Sequence, residues 1–214
     1  MFLRRALRKS ALNHVGQKEY EEMDQENVSQ LLTEDHADVD GLFHKLLNAL
    51  EAGDARLAFS LLDFLWARLA VHIRAENLCL FPAILRAADQ AGVSDSNAAA
   101  APRLEEARSA ISELRIDHDF FMRELAAAVN QMRVQSLESY DEFSPEQLAA
   151  IRQTVKAVRV RLESHNRLEE EKVYRWPALL LNVEERELLV NDMKLEIKNL
   201  PPRFNITSDA VDRN

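Results

Sequence analysis

One motif, stated twice, constrains this chain more than any other feature. His72-Ile73-Arg74-Ala75-Glu76, read as H-x-R-x-E, returns as His165-Asn166-Arg167-Leu168-Glu169. On a helix, residues four apart sit one above the other on the same face. Each copy therefore aims an imidazole and a carboxylate at one point, which is how a helix presents two ligands to a metal.

The repeat extends beyond those ten residues. An Asp-His pair, Asp35-His36 and Asp117-His118, lies on the helix ahead of each H-x-R-x-E helix, and similar runs, Pro82-Ala83-Ile84-Leu85 and Pro177-Ala178-Leu179-Leu180, close each half. Two related helical hairpins pack most simply as an antiparallel up-down-up-down four-helix bundle with pseudo-twofold symmetry. The predicted class is all-α. Composition agrees: 47% of the 214 residues are hydrophobic, only four are Gly and six Pro, and no stretch alternates in the manner of strands.

Apolar stripes locate the helices. Val28, Leu32, Val39, Phe43, Leu46 and Leu50 mark the first; Gly53-Asp54 ends it and caps the second, which runs from Ala55 towards Phe81, with Pro82 expected to end or kink it. Residues 91–101 read as a loop, and Pro102 suits the first turn of the third helix. Ser144-Pro145-Glu146-Gln147 is a specific start signal for the fourth, and Asn182 with Glu185 starts a fifth, accessory helix closed by Pro201-Pro202. The expected organisation is a basic amphipathic extension over 1–27, the bundle over 28–181, the accessory helix over 182–200 and a polar tail over 201–214. The Asn205-Ile206-Thr207 sequon in that tail is read as chance.

Function classes narrow on charge and cysteine. A net charge of −9 argues against a nucleic-acid partner, and one cysteine, Cys79, excludes an internal disulfide framework and fits a reducing, cytoplasmic setting. No apolar run reaches the length of a membrane span. The basic residues Arg4, Arg5, Arg8, Lys9 and Lys18 allow peripheral membrane contact through residues 1–18, against the plainer reading of a basic arm.

The candidate metal ligands are His36, His72, Glu76, His118, His165 and Glu169, supplied by all four core helices. Each histidine falls on the apolar stripe of its own helix: His36 between Leu32 and Val39, His118 between Leu114 and Phe121, His72 after Leu69, His165 after Leu162. Four imidazoles and two carboxylates on inward faces are too much polar matter to bury uncompensated. A pair of divalent cations resolves it. Mixed nitrogen and oxygen donors suit iron, manganese or zinc, and two His per metal with shared Glu leaves open positions, as a binding or redox site requires.

With His36, His72-x3-Glu76 followed by Leu80-Phe81-Pro82, then His118 and His165-x3-Glu169-Glu170, the chain resembles the hemerythrin-like (HHE) cation-binding domains over about residues 30–180. It is most similar to the bacterial four-His, two-Glu branch that includes iron-cluster repair proteins. The resemblance implies a non-haem, carboxylate-bridged di-iron centre, with His36 and His72 on one iron, His118 and His165 on the other, and Glu76 and Glu169 bridging. It implies dioxygen or nitric oxide as ligands, for sensing, scavenging or storage. An enzyme reducing peroxide or nitric oxide, an iron donor, and a scaffold with a structural metal are the alternatives. Oxygen-carrying hemerythrins have a second histidine where this chain has Met122, and an H-x4-D pair where Glu170 stands. Those departures point away from dedicated oxygen carriage. Ferritin-like Glu-x-x-His pairs and the zincin H-E-x-x-H are absent.

Around the set, Asp40 is a candidate to orient His36 or join it, against the equal alternative of a solvated or capping acid, and Glu170 a candidate to replace Glu169 as bridge, although a surface position suits it better. Phe121 and Met122 are candidates to line a gas pocket, and Cys79 to sense redox state, each against ordinary core packing. His14 and His44 lie outside the set.

Overall fold

The computed structural model describes residues 27–91, 101–136 and 143–204. The basic stretch 1–18, most of the 91–101 loop and the sequon at Asn205 lie outside them. The described residues form an all-α bundle, with no strand among them and no helix long and apolar enough to cross a membrane.

Helix α1 spans Val28–Ala52 and starts where the Asn27 side chain accepts from the Gln30 N–H at 2.9 Å. It stops at Gly53, which takes φ 77, and Asp54 then caps α2, Ala55–Ala75, by accepting from the Leu57 N–H. A Cβ added at Gly53 would meet no neighbour, so only the left-handed backbone opposes one. Gly53→Ala is expected to cost about 1 kcal/mol of stability in a urea unfolding curve.

Pro82 does not end the second helix. The chain widens into a π turn over Glu76–Leu80, where the Phe81 N–H bonds back to the Glu76 carbonyl, and continues as α3, Phe81–Ala91. The wider turn shifts the carbonyl that the proline ring would strike in an unbroken α-helix. Pro102 also falls outside its expected place: α4 spans Leu104–Ser136, and its first turn closes from Ala107 N–H to the Arg103 carbonyl. Helix α5, Pro145–Glu171, opens with the capping box formed by Ser144 and Gln147. It is followed by a 3-10 turn over Val173–Arg175, the short α6, Trp176–Leu180, and α7, Val183–Lys198, which has its own capping box from Asn182 and Glu185.

Helices α1, α2, α4 and α5 close a ring in which each packs on two neighbours, while α7 lies against α2, α1 and the π turn. The accessory helix is thus part of its own bundle, burying Leu189, Val190, Met193 and Ile197. Burial divides into two apolar halves. One holds Val39, Phe43, Leu65, Leu69, Phe121, Val155 and Leu162; the other holds Leu32, Ala75, Leu80, Phe81, Ile111, Leu114, Val173 and Met193. On α1, α4 and α5 the crossover between halves falls at a histidine, and on α2 just beyond one, between Ile73 and Ala75. The polar residues are sandwiched in one layer with hydrocarbon on both sides.

Candidate metal centre

The structure brings His36, His72, Glu76, His118, His165 and Glu169 together in that layer, all buried and both glutamates fully so. Donor atoms from Glu76, His118, His165 and Glu169 lie within 4.8 Å of one another, as do those of His36, His72 and Glu169. Glu169 belongs to both groups. Its Oε2 lies 3.4 Å from His36 Nε2 and its Oε1 3.1 Å from His165 Nε2. Glu76 Oε2 lies 3.2 Å from His118 Nε2 and 3.5 Å from His72 Nε2.

Every imidazole turns Nε2 inward and has Nδ1 engaged from outside. His72 Nδ1 meets Asp35 at 2.8 Å, His165 Nδ1 meets Asp117 at 3.2 Å, and His36 Nδ1 meets Glu170 at 2.8 Å. The Asn77 amide lies 3.3 Å from His118 Nδ1 and accepts from Arg115 at 3.1 Å. Arginines fix the two aspartates in turn, Arg68 on Asp35 and Arg161 on Asp117. An acidic acceptor at Nδ1 holds the ring proton there and leaves the Nε2 lone pair facing the layer's centre.

The inward Nε2 atoms then crowd. His36 and His72 bring their Nε2 atoms to 3.3 Å, and His118 and His165 to 3.1 Å, while Glu76 Oε2 and Glu169 Oε1 have no hydrogen-bond donor. Without a cation, only protons compensate. Burial alone would lower the His36 pKa, but Glu169, Glu170 and Glu76 outweigh it and push it to about 9. His165 is raised despite its burial by Glu169, Glu76 and Asp117; Glu169, which burial would raise, is held well below the usual range by His165 and His36. Two cations would replace these protons and satisfy the unpaired oxygens, so the residues fit the group.

A pH dependence follows for the metal-free protein. A histidine raised from 6.5 to about 9 stabilises the fold fully below 6.5 and loses that contribution as pH climbs through about 9. Glu169, depressed from 4.5, contributes above 4.5 and loses it as pH falls below. Melting of chelator-treated protein is therefore expected to peak between about pH 4.5 and 6.5 and to fall steadily towards about pH 9.

Several residues take other places than their spacing suggests. Asp40 does not touch His36; it binds Arg159 at 3.0 Å and pairs with His44, because one turn beyond His36 the helix faces α5 instead of the layer. The orienting acid of His36 is Glu170, half-buried and on the outer side, so it neither bridges nor points into solvent alone. Cys79 is half-buried outside the layer, and burial together with Asp192 and Glu196 pushes its thiol up, away from a reactive thiolate. Phe121 meets His165 edge-on at 5.1 Å, and Met122 packs against the apolar half beside it.

Two features escape the spacing of H-x-R-x-E. One is the Asp-Arg clamp, whose signal is an arginine four residues ahead of each motif, Arg68 and Arg161, facing the Asp of each Asp-His pair. The other is Tyr174. Its hydroxyl lies 2.7 Å from Glu76 Oε1, 2.9 Å from Glu169 Oε2 and 3.0 Å from His36 Nε2. Burial and the two glutamates push its pKa well above the usual phenol range. The same residue lines a surface groove of about 560 Å³ between the start of α1 and α7.

Comparison with known proteins places this geometry. The family model of the hemerythrin HHE cation-binding domain matches residues 27–176. No curated protein and no solved structure matches the chain. The match spans most of the chain and takes in all four core helices with their buried His/Glu cluster, and the chain belongs to the hemerythrin HHE cation-binding domain family.

Proposed function

We propose that this chain is a non-haem di-iron protein that binds dioxygen or nitric oxide reversibly, as sensor, scavenger or store. The observation that carries this reading is the convergence of four Nε2 atoms and two carboxylates in a buried layer, with every Nδ1 held from outside. His36 and His72 would hold one iron, His118 and His165 the other, and Glu76 and Glu169 would serve as the carboxylates shared between them. His118 and His165 with both glutamates would offer one ion four residues, and His36 and His72 with Glu169 the other three, so that iron would be left short of six donors. When bound, two ferrous ions supply electrons to a diatomic ligand at such open positions.

The chain's own residues do the rest. Glu170, Asp35 and Asp117 hold ring protons on Nδ1, which keeps three imidazoles in the ligating tautomer. Phe81, stacked 5.9 Å from His118, and Phe121 cover the histidines with hydrocarbon and exclude water. Arg68 and Arg161 neutralise the two aspartates, so that these two buried or half-buried acids add no uncompensated charge. The lone cysteine supports a reducing, cytoplasmic setting.

The test is the optical spectrum of the full chain loaded with iron(II) under argon, recorded as dioxygen or nitric oxide is admitted and then removed. New visible bands that appear with the gas and fade on its removal are expected. A chain that retains only zinc and stays colourless contradicts the reading, and sustained consumption of peroxide or nitric oxide would transfer it to the enzyme alternative.

A further inference from the structure

The two halves of the repeat place an aromatic residue at the same position. Phe81 stands nine residues after His72, and Tyr174 nine after His165. Each ring covers a histidine from the opposite half, Phe81 on His118 at 5.9 Å between centroids and Tyr174 on His36 at 5.6 Å. The chemical difference between these symmetry mates is one hydroxyl group. It occurs only on the side of His36 and His72.

That hydroxyl is not placed like the residues that orient the histidines. Asp35, Asp117, Glu170 and Asn77 all stand behind the rings, on Nδ1. The Tyr174 oxygen stands in front of them, within 3.0 Å of His36 Nε2 and nearer still to one oxygen of each glutamate. A phenol has one proton and can give it to one acceptor at a time. Two buried carboxylate oxygens share it here, while the other oxygen of each carboxylate has no donor at all. The hydroxyl oxygen thus stands on the inner side of the layer, within hydrogen-bond distance of three of the candidate donor atoms.

We propose that Tyr174 is a further ligand, as phenolate, to the ion held by His36 and His72. The inference rests on the two-metal reading above. Metal uptake breaks the phenol O–H bond and forms a metal–oxygen bond; the proton leaves to water, and no electron is transferred. The ion on His36 and His72 then carries one more oxygen donor and one more negative charge than its neighbour, and one fewer open position. Phe81 offers no such atom to the ion on His118 and His165. The phenolate therefore directs an incoming diatomic ligand to the His118 and His165 side, beneath Phe81 and Phe121.

The full chain and Tyr174→Phe are loaded with iron under argon and oxidised in air. Wild type is expected to show a visible phenolate-to-iron charge-transfer band with resonance-enhanced tyrosine ring vibrations. Tyr174→Phe is expected to lose both while keeping two irons per chain. Identical spectra from two proteins with two irons each would overturn the proposal and leave the two-metal reading standing. A wild type that takes up no pair of ions overturns that reading, and the phenolate ligand with it. Zinc gives a check that needs no variant: filling both positions of wild type is expected to raise an ultraviolet tyrosinate difference band, and full occupancy without that band overturns the proposal.

Discussion

Glu169→Ala is expected to abolish binding of both metal ions, whereas substitutions on either histidine pair should weaken one position first. The reason is its span: one oxygen lies 3.4 Å from His36 Nε2 and the other 3.1 Å from His165 Nε2, so a single side chain serves both groups of donors. Losing an orienting partner alone typically lowers metal affinity about 10–100-fold, and losing a shared ligand costs more. The metal-free variant has a second defect. His36 and His165 owe their raised pKa values first among their neighbours to Glu169, so alanine leaves two buried imidazoles without their main counter-charge. Metal content after dialysis against iron(II) under argon checks the first effect, and chemical unfolding of the chelated protein the second.

Asp35→Ala is expected to destabilise the fold by about 3 kcal/mol and to weaken metal binding about 10–100-fold. Asp35 is buried and takes both the Arg68 guanidinium and the His72 Nδ1–H; burial would raise its pKa, and those two partners hold it below the usual carboxylate range. Its removal strands a guanidinium that is almost fully covered and frees His72 to change tautomer. Asp40→Ala supplies the contrast. Asp40 is half-exposed and its partners, Arg159 and His44, face solvent or the bundle's rim, so a change within about 0.5 kcal/mol and unaltered metal affinity are expected. Urea unfolding and metal titration of both variants separate an acid that orients the layer from one that merely neighbours it.

The difference between those two aspartates also explains what the sequence made legible. Stripes such as Leu32-His36-Val39 and Leu114-His118-Phe121 reveal an all-α bundle with inward histidines, because periodicity along one helix is a local property. Doubling made the six-residue gathering legible, since a repeat ties distant segments to one arrangement. Asp40 stays open between two readings for the same local reason: it shares a face with His36, and the partner that decides its place, Arg159, comes from α5. Asp35 reaches His72 across helices, and no spacing within α1 reports that.

The ends of the two motif helices were harder still. Pro82 announces an interruption, but whether a chain stops or widens into a π turn depends on packing beyond the helix, here on α7. In the second half the same stretch breaks into a 3-10 turn and delivers Tyr174 to the layer. Only alignment of Phe81 with Tyr174 across the repeat would have singled it out, and the two extra residues before Pro177 draw attention to the proline instead.

A pair of irons side by side among these six side chains is the proposed centre. Iron-edge X-ray absorption of the anaerobically loaded chain tests it most directly. Two irons per chain, a coordination shell with imidazole scattering and an iron–iron path are expected. One isolated iron per chain with no metal neighbour would contradict it.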